Sequence, residues 1–369
     1  MIKISQACLG IEEREAIDRV FADGYLGMGK EVMLFETELK AFIGNDVEVA
    51  CVNTGTSALH LATQACGIGP GDEVIIPSLT YVASFQAVSA TGANPIACDV
   101  DLSTGFMNVE DVIRKITPRT KALMPVHYAG GFGDLAGIYE LAKRHNLRVI
   151  EDAAHSFSGY YQGQRVGATG DIVCFSFDSI KNITCGEGGA VVTKDKKVNA
   201  KIKDLRLLGV EKDSDKRYSG QRSWDFDVTE QGWRYHMSNI NAAIGRAQLK
   251  KIDRFAAIRR QLLTEYDRLL DTKNIEQFQI DRKNTDPHMF PVKVNAEKRD
   301  SLKAYLQEHS IETGFHYKPN HLLTKYSQKN CPNAEILWGQ MLTLPLHCNL
   351  KISDIEFITK TISDFFERG

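Results

Sequence analysis

The chain has no paired cysteine motif, no long apolar run and almost no net charge, and each absence closes a class of function. Its eight cysteines (Cys8, Cys51, Cys66, Cys98, Cys174, Cys185, Cys331 and Cys348) form no CxxC or CxxxC pair and mostly sit inside apolar stretches. Buried free thiols look like this, whereas zinc sites and disulfide frameworks do not, and the pattern fits a reducing, cytoplasmic setting. No run approaches the ~20 apolar residues of a membrane helix. The amino terminus reaches the charged stretch Glu12-Glu13-Arg14-Glu15 too early for a signal-peptide core. The expectation is a soluble, unexported protein with no membrane partner. Forty-five Lys plus Arg against 47 Asp plus Glu leave a formal charge of −2, so no basic field recruits nucleic acid. Histidine pairs at i, i+4 are missing as well, and no metal is expected. The chain carries neither a Walker loop nor a GxGxxG fingerprint, and it has no internal repeat or low-complexity tract.

What is present is a rhythm of short β-branched runs and helical patterns. At 369 residues and 43% hydrophobic, the chain is long enough for two domains. From about residue 47 to 195, candidate strands fall at Val47–Val52, Glu73–Pro77, Asn94–Val100, Ala122–His127, Arg148–Asp152, Asp171–Phe177 and Ala190–Thr193. Strands alternating with helices predict an α/β fold with a mostly parallel sheet. A long amphipathic segment, Ser238 to about Asp271, links this part to a smaller α+β part. There, strand-like Met289–Val294, helix-like Arg299–His309, strand-like Ile311–Tyr317 and a closing helix at Ile355–Phe366 follow one another. The division is placed at residue 250, giving a large domain 1–250 and a small domain 251–369. Residues 210 to 231 are polar and patternless, as a loop would be.

Polar residues gather where the predicted strands end. Asn53, Thr54, Ser78, Thr80, His127, Asp152 and Ser176 all lie at or just past a strand's carboxyl end, the edge where open α/β sheets place ligands. Lys181 follows the apolar run Asp171–Phe177 and precedes Gly186-Glu187-Gly188-Gly189. A partly desolvated amine at such an edge has a lowered pKa, is nucleophilic near neutral pH and can form a Schiff base. A lone lysine is more often a solvated surface charge, so its neighbours decide. Asn53-Thr54-Gly55-Thr56-Ser57 runs from a strand into an apolar helix, a geometry suited to a phosphate, although Thr and Ser also cap helices that bind nothing. The acid pair Glu151-Asp152 could bind a metal, a ribose or a cationic ring nitrogen, with metal disfavoured by the missing histidine and cysteine partners, and read alone Asp152 is a structural cap. His155 taken alone reads as packing. Tyr81, beyond a strand end, could cover a flat ring. Pyridoxal phosphate needs all these parts together: a lysine for its aldehyde, a phosphate cup, an acid for its ring nitrogen and a ring support.

The segments resemble the nucleotide-sugar aminotransferases of the DegT/StrS type, a branch of the fold-type I pyridoxal phosphate enzymes. The resemblance spans nearly the whole chain. It rests on Phe35-Glu36, Asn53–Leu59, Gly71–Pro77, Pro125-Val126-His127, Glu151–Ala154, Phe175–Phe177 with Lys181, Gly186–Gly189 and His316–Pro319. It implies that Lys181 carries the Schiff base, Asp152 pairs with the pyridine nitrogen and Tyr81 stacks on the ring. Thr56, Ser57 and Ser176 would hold the phosphate, with His155 near the ring hydroxyl. The family builds its site across a homodimer, where an asparagine of a Gly-x-Asn-x-Arg-Met segment reaches the neighbour's phosphate. Here the segment reads Gly232-Trp233-Arg234-Tyr235-His236-Met237, so Arg234 stands in place of asparagine, and a guanidinium can also bind phosphate. The implied reaction takes an amino group from L-glutamate to a C3 or C4 keto group of a nucleotide-linked deoxy sugar, for surface polysaccharide or glycoconjugate synthesis. His316, Tyr317 and His321, with the loop Gly24–Gly29, are candidate substrate contacts. Rival readings are a keto-cyclitol aminotransferase, a non-catalytic cofactor-sensing regulator, and a dehydratase of the same fold. In the dehydratase branch a histidine replaces the lysine, so Lys181 argues against it.

Overall fold

The computed structural model describes residues 1–222 and 224–368. Its strands, in chain order, are β1 (Glu48–Val52), β2 (Glu73–Pro77), β3 (Asn94–Cys98), β4 (Thr120–Leu123), β5 (Arg148–Asp152), β6 (Tyr160–Tyr161), β7 (Gln164–Arg165), β8 (Ile172–Ser176), β9 (Gly189–Thr193), β10 (Ile275–Gln277), β11 (Phe290–Val294) and β12 (Met341–Leu344). A seven-stranded sheet has the order β1-β9-β8-β5-β4-β2-β3. Its neighbours pair in parallel except at β9, which runs antiparallel to both β1 and β8. Six strands therefore share one direction, and their carboxyl ends share one edge.

The strands are apolar on both faces because helices cover both. Along β1, Val49 and Cys51 join one core cluster while Ala50 and Val52 join another. The same alternation separates Ile75 from Val74 and Ile76 on β2, and Val173 and Phe175 from Ile172 and Cys174 on β8. A strand buried on both sides reads as a continuous apolar run, which is why these strands were visible in the sequence. A third cluster packs the sheet β10-β11-β12 against the helices Ile252–Leu269, Ala296–Glu308 and Ile352–Glu367.

Three expectations need correction. The segment from Ser238 is two helices, Asn239–Leu249 and Ile252–Leu269, broken at Lys250-Lys251. Ile311–Tyr317 is not a strand. It makes only isolated bridges, Ile311 to Ile2 and Gly314 to Thr343, because the small sheet's edge is shared with the amino terminus. Residues 210 to 231 hold a short helix, Asp213–Tyr218. That helix is anchored by Arg206, a fully buried guanidinium that donates to Glu36 and to the Cys51 carbonyl, each at 2.6 Å, and to the Tyr218 hydroxyl, also at 2.6 Å. A fixed partner for that loop was invisible because Arg206 and Glu36 lie 170 residues apart. Among the described residues, no helix is long and apolar enough to cross a membrane.

Candidate active site

The helix Gly55–Ala65 begins after only two residues, Asn53 and Thr54, beyond the end of β1, so its amino terminus lies at the carboxyl edge. Thr54 caps it, its hydroxyl accepting from Ser57 N at 3.0 Å. The Ser57 hydroxyl is drawn into the same cap, accepting from Thr54 N at 3.1 Å and lying 2.7 Å from Asn53 Oδ1. What the first turn leaves toward solvent is the exposed Thr56 and backbone N–H groups that helix geometry leaves without intrahelical acceptors. The β8 end closes against this turn. A Cβ at Gly55 would stand 2.8 Å from Ser176 Cβ, and one at Gly189 would stand 2.4 Å from the Thr54 carbonyl oxygen. Only glycine permits that approach, and the result is a tight backbone cradle with Ser176 on its wall.

Asp152, the last residue of β5, is buried and held on both oxygens. Oδ1 accepts from Ala154 N at 3.2 Å, and Oδ2 accepts from the Ser84 hydroxyl at 2.7 Å. Ser84 is itself 3.1 Å from the Thr80 hydroxyl. The helix Ala83–Ala90, which follows β2, thereby orients the acid of β5. The neighbouring Glu151 faces the other side of the sheet, where Tyr139 donates to it at 2.5 Å. His127 Nε2 stands 2.9 Å from Glu151 Oε2 without meeting the geometry of a hydrogen bond.

Lys181 is half-buried, on the loop between β8 and β9. Burial lowers its pKa from the ordinary lysine value to about 8, an effect that the charges of Asp152 and Asp178 only partly oppose. A ring of neutral groups lies beside it. His155 is buried, with Nε2 3.1 Å from the Tyr317 hydroxyl and Nδ1 without a protein partner. Burial, then the Lys181 charge, then His316 and His127 push the His155 pKa well below the usual imidazole range. His316 has Nδ1 2.9 Å from Thr343 Oγ1, and burial and then Lys181 lower its pKa to about 4. Tyr81, 57% exposed, has its ring 5.6 Å from that of Tyr317, so Tyr81, Tyr317 and His155 form one aromatic run.

The structure thus brings Lys181, Asp152, His155, Tyr81, His316 and Tyr317 to one locus, with Thr56, Ser57 and Ser176 in the adjoining cradle. Two other sequence candidates have different surroundings. Arg234 is exposed and lines a hollow with Leu207, Phe226, Arg217 and His236. His321 is buried, with Nδ1 2.6 Å from Ser78 Oγ and Nε2 3.1 Å from Glu335. Both its ring nitrogens are occupied by protein. In the Gly24–Gly29 loop, the Tyr25 carbonyl accepts from Asn239 Nδ2 at 2.8 Å, which anchors the turn to the helix Asn239–Leu249. Sequence reasoning missed Ser84 and His288. Ser84 sits inside an unremarkable helix, Ala83–Ala90, and nothing local marks it. His288 precedes β11, where any residue reads as the start of a strand.

The cradle, the held acid and the unpartnered His155 Nδ1 fit pyridoxal phosphate: phosphate at the helix terminus, pyridine nitrogen toward Asp152, and an amine within the same locus to take the aldehyde. Fold and site together are those of a pyridoxal phosphate-dependent aminotransferase. The chain belongs to the DegT/DnrJ/EryC1/StrS aminotransferase family, whose model matches residues 7–363. It is 34% identical over 379 residues to a dTDP-4-dehydro-2,3,6-trideoxy-D-glucose 4-aminotransferase of Saccharopolyspora spinosa, covering 100% of this chain and 97% of that protein. The aminotransferase TlmJ of Streptoalloteichus hindustanus superposes with a TM-score of 0.92 at 32% identity, over 100% of this chain and 99% of TlmJ. The PLP form of Spr1654 from Streptococcus pneumoniae superposes with a TM-score of 0.91 at 26% identity, over 100% of this chain and 99% of that one.

Proposed function

We propose that this aminotransferase moves an amino group from L-glutamate to a keto carbon, C3 or C4, of a nucleotide-linked deoxy sugar. The observation that carries the reading is the Lys181 amine, with its pKa lowered to about 8, at the sheet edge that also bears Asp152. The relative that acts on a dTDP-linked keto sugar along the whole chain supports the substrate class and favours C4.

In this reading each residue has a separate task. Pyridoxal phosphate, when bound, supplies an electron sink for the charge left when a proton leaves the amino-acid carbon. Asp152, oriented by Ser84, holds the proton on the ring nitrogen. Lys181 Nζ, once free, would accept the carbon-bound proton and return it two atoms away, across the nitrogen, a transfer typically worth about 10²–10⁴ in rate. Thr56, Ser176 and the first-turn N–H groups grip the phosphate, while Ser57 keeps the turn in shape. Tyr81 covers the ring, and Tyr317 fixes His155 beside it. His316 and Tyr317 line the sugar side. His321 acts through Ser78 as a positioning residue rather than as a contact.

The same proposal makes the enzyme a cytoplasmic homodimer in which Arg234, exposed on its own subunit, serves the neighbour's phosphate. It also keeps residues 1–250 and 251–369 as separate domains. The experiment is a glutamate half-reaction followed by absorbance, then a panel of dTDP-keto sugars and keto-inositols with product masses. Amination of a dTDP-keto sugar supports the proposal. Turnover of keto-inositols alone would favour the cyclitol reading, and no spectral change with glutamate would favour a non-enzymatic regulator.

A further inference from the structure

His288 belongs to none of the motifs above, yet it is buried with its ring 5.0 Å from that of His155, at an interplanar angle of 64°. A clamp two residues upstream delivers it there. Arg259, itself buried, donates from Nε and Nη2 to the two carboxylate oxygens of Asp286 at 3.1 and 2.7 Å, and from Nη1 to the Asn182 carbonyl at 3.3 Å. The Asn182 side-chain amide donates to the Asp286 carbonyl, and the Ser158 hydroxyl donates to Asp286 Oδ2 at 2.6 Å. One buried ion pair therefore joins the residue after Lys181, the loop beyond Asp152 and the segment that bears His288.

One side of Lys181 borders a small hollow. A cavity of about 20 Å³ is lined by Lys181, Asn182, Arg259, His288 and Cys348 among others, room for about one water. His288 Nδ1 is buried without a protein partner, and buried polar atoms in native proteins seldom stay so. The charged and titratable groups around Lys181 are Asp152 on β5, Asp178 on its own loop, and His155, His288 and His316 from the elements packed against it. Those around His288 are Lys181, His155, Arg259 and His316, and burial first, then these charges, keep its imidazole neutral.

We propose that His288, carried in by the Arg259–Asp286 clamp, is a positioning residue for the reacting amine: its ring braces His155 and walls the small hollow on one side of Lys181, holding that side to about one water. Replacing the ring by a methyl group would merge the space it fills with the existing cavity and open the amine to bulk solvent. The inference rests on Lys181 being the reactive amine.

The test is competitive acetylation of the full-length, cofactor-free chain across pH, with Lys181 followed by peptide mass. The parent is expected to show a Lys181 midpoint near 8. His288→Ala is expected to move it toward the ordinary lysine value of ~10.4, cutting the neutral fraction at pH 7 about tenfold or more, with kcat falling and KM for the keto sugar little changed. His288→Gln, which keeps bulk and an amide, should stay close to the parent and restore most of kcat. If His288→Ala does not fold, His288→Ser carries the same expectation. An unchanged midpoint in the folded small-residue variant overturns the role of His288. Failure of the parent to bind pyridoxal phosphate through Lys181 would instead overturn the reading on which it rests.

Discussion

The two walls of the site are built by different means. One wall is the carboxyl edge of the central sheet, where β1, β5 and β8 present Asn53, Asp152 and Ser176 at strand ends and the loops add Tyr81, His155 and Lys181. The other comes from irregular backbone around the small sheet. There Asp286 and His288 precede β11, and His316 and Tyr317 follow Gly314, which bridges to Thr343 of β12. On the first wall, the strand pairing of the central sheet fixes where each side chain emerges. On the second, side-chain bonds do that work: Arg259 to Asp286, His316 to Thr343, and Tyr317 to His155. In the function proposed, the sheet edge would carry the general chemistry of the cofactor, and the second wall would adjust its electrostatics and face the sugar.

That contrast can be broken by substitution. Lys181→Ala on the sheet edge should have the largest effect, losing more than the 10²–10⁴-fold of a single proton transfer, because nucleophile and proton carrier go together; glutamate half-reaction rates check it. Asp152→Asn should retain bound cofactor and lose about 10²–10³-fold in kcat, the scale on which preorganised electrostatic groups act. Equal rates in mutant and parent would remove its role at the ring nitrogen.

The second wall should reveal itself through pH. His316 titrates near 4, and His155 and His288 are also depressed, whereas in the unfolded chain they take protons near ~6.5. The unfolded state therefore binds more protons between those values, and cofactor-free stability should fall as pH drops from about 6.5 toward 4. Lys181 has the same sign at higher pH, so stability should rise from pH 8 toward ~10.4. Urea midpoints across pH check both windows, and a flat acid limb would contradict the neutral-histidine account. Smaller still, Thr54→Ala should cost about 1 kcal/mol of stability by removing the helix cap. Tyr81→Ala should weaken cofactor binding by only about 0.5–1.5 kcal/mol beyond lost area.

The same contrast explains what could be read from the sequence. Glu73–Pro77 and Arg148–Asp152 were located to the residue, because strands buried on both faces announce themselves as apolar runs with polar ends. Lys181, Asp152 and the Thr54–Ser57 turn followed from those ends. The second wall was less legible. His316 and Tyr317 came from a resemblance rather than from periodicity, and their segment was misread as a strand. His288 and Arg259 gave no local signal, since their meaning depends on Asp286 and Asn182, which only folding brings near. His321 looked like a substrate contact, and only the structure shows Ser78 and Glu335 occupying both its nitrogens.

The central claim is that the Lys181 amine, and no other, takes the cofactor's aldehyde. Borohydride reduction of the protein with pyridoxal phosphate, followed by peptide mass mapping, tests it directly. The account predicts one reduced adduct, on Lys181, and none in Lys181→Ala. An adduct on another lysine, or an undiminished one in Lys181→Ala, would contradict it.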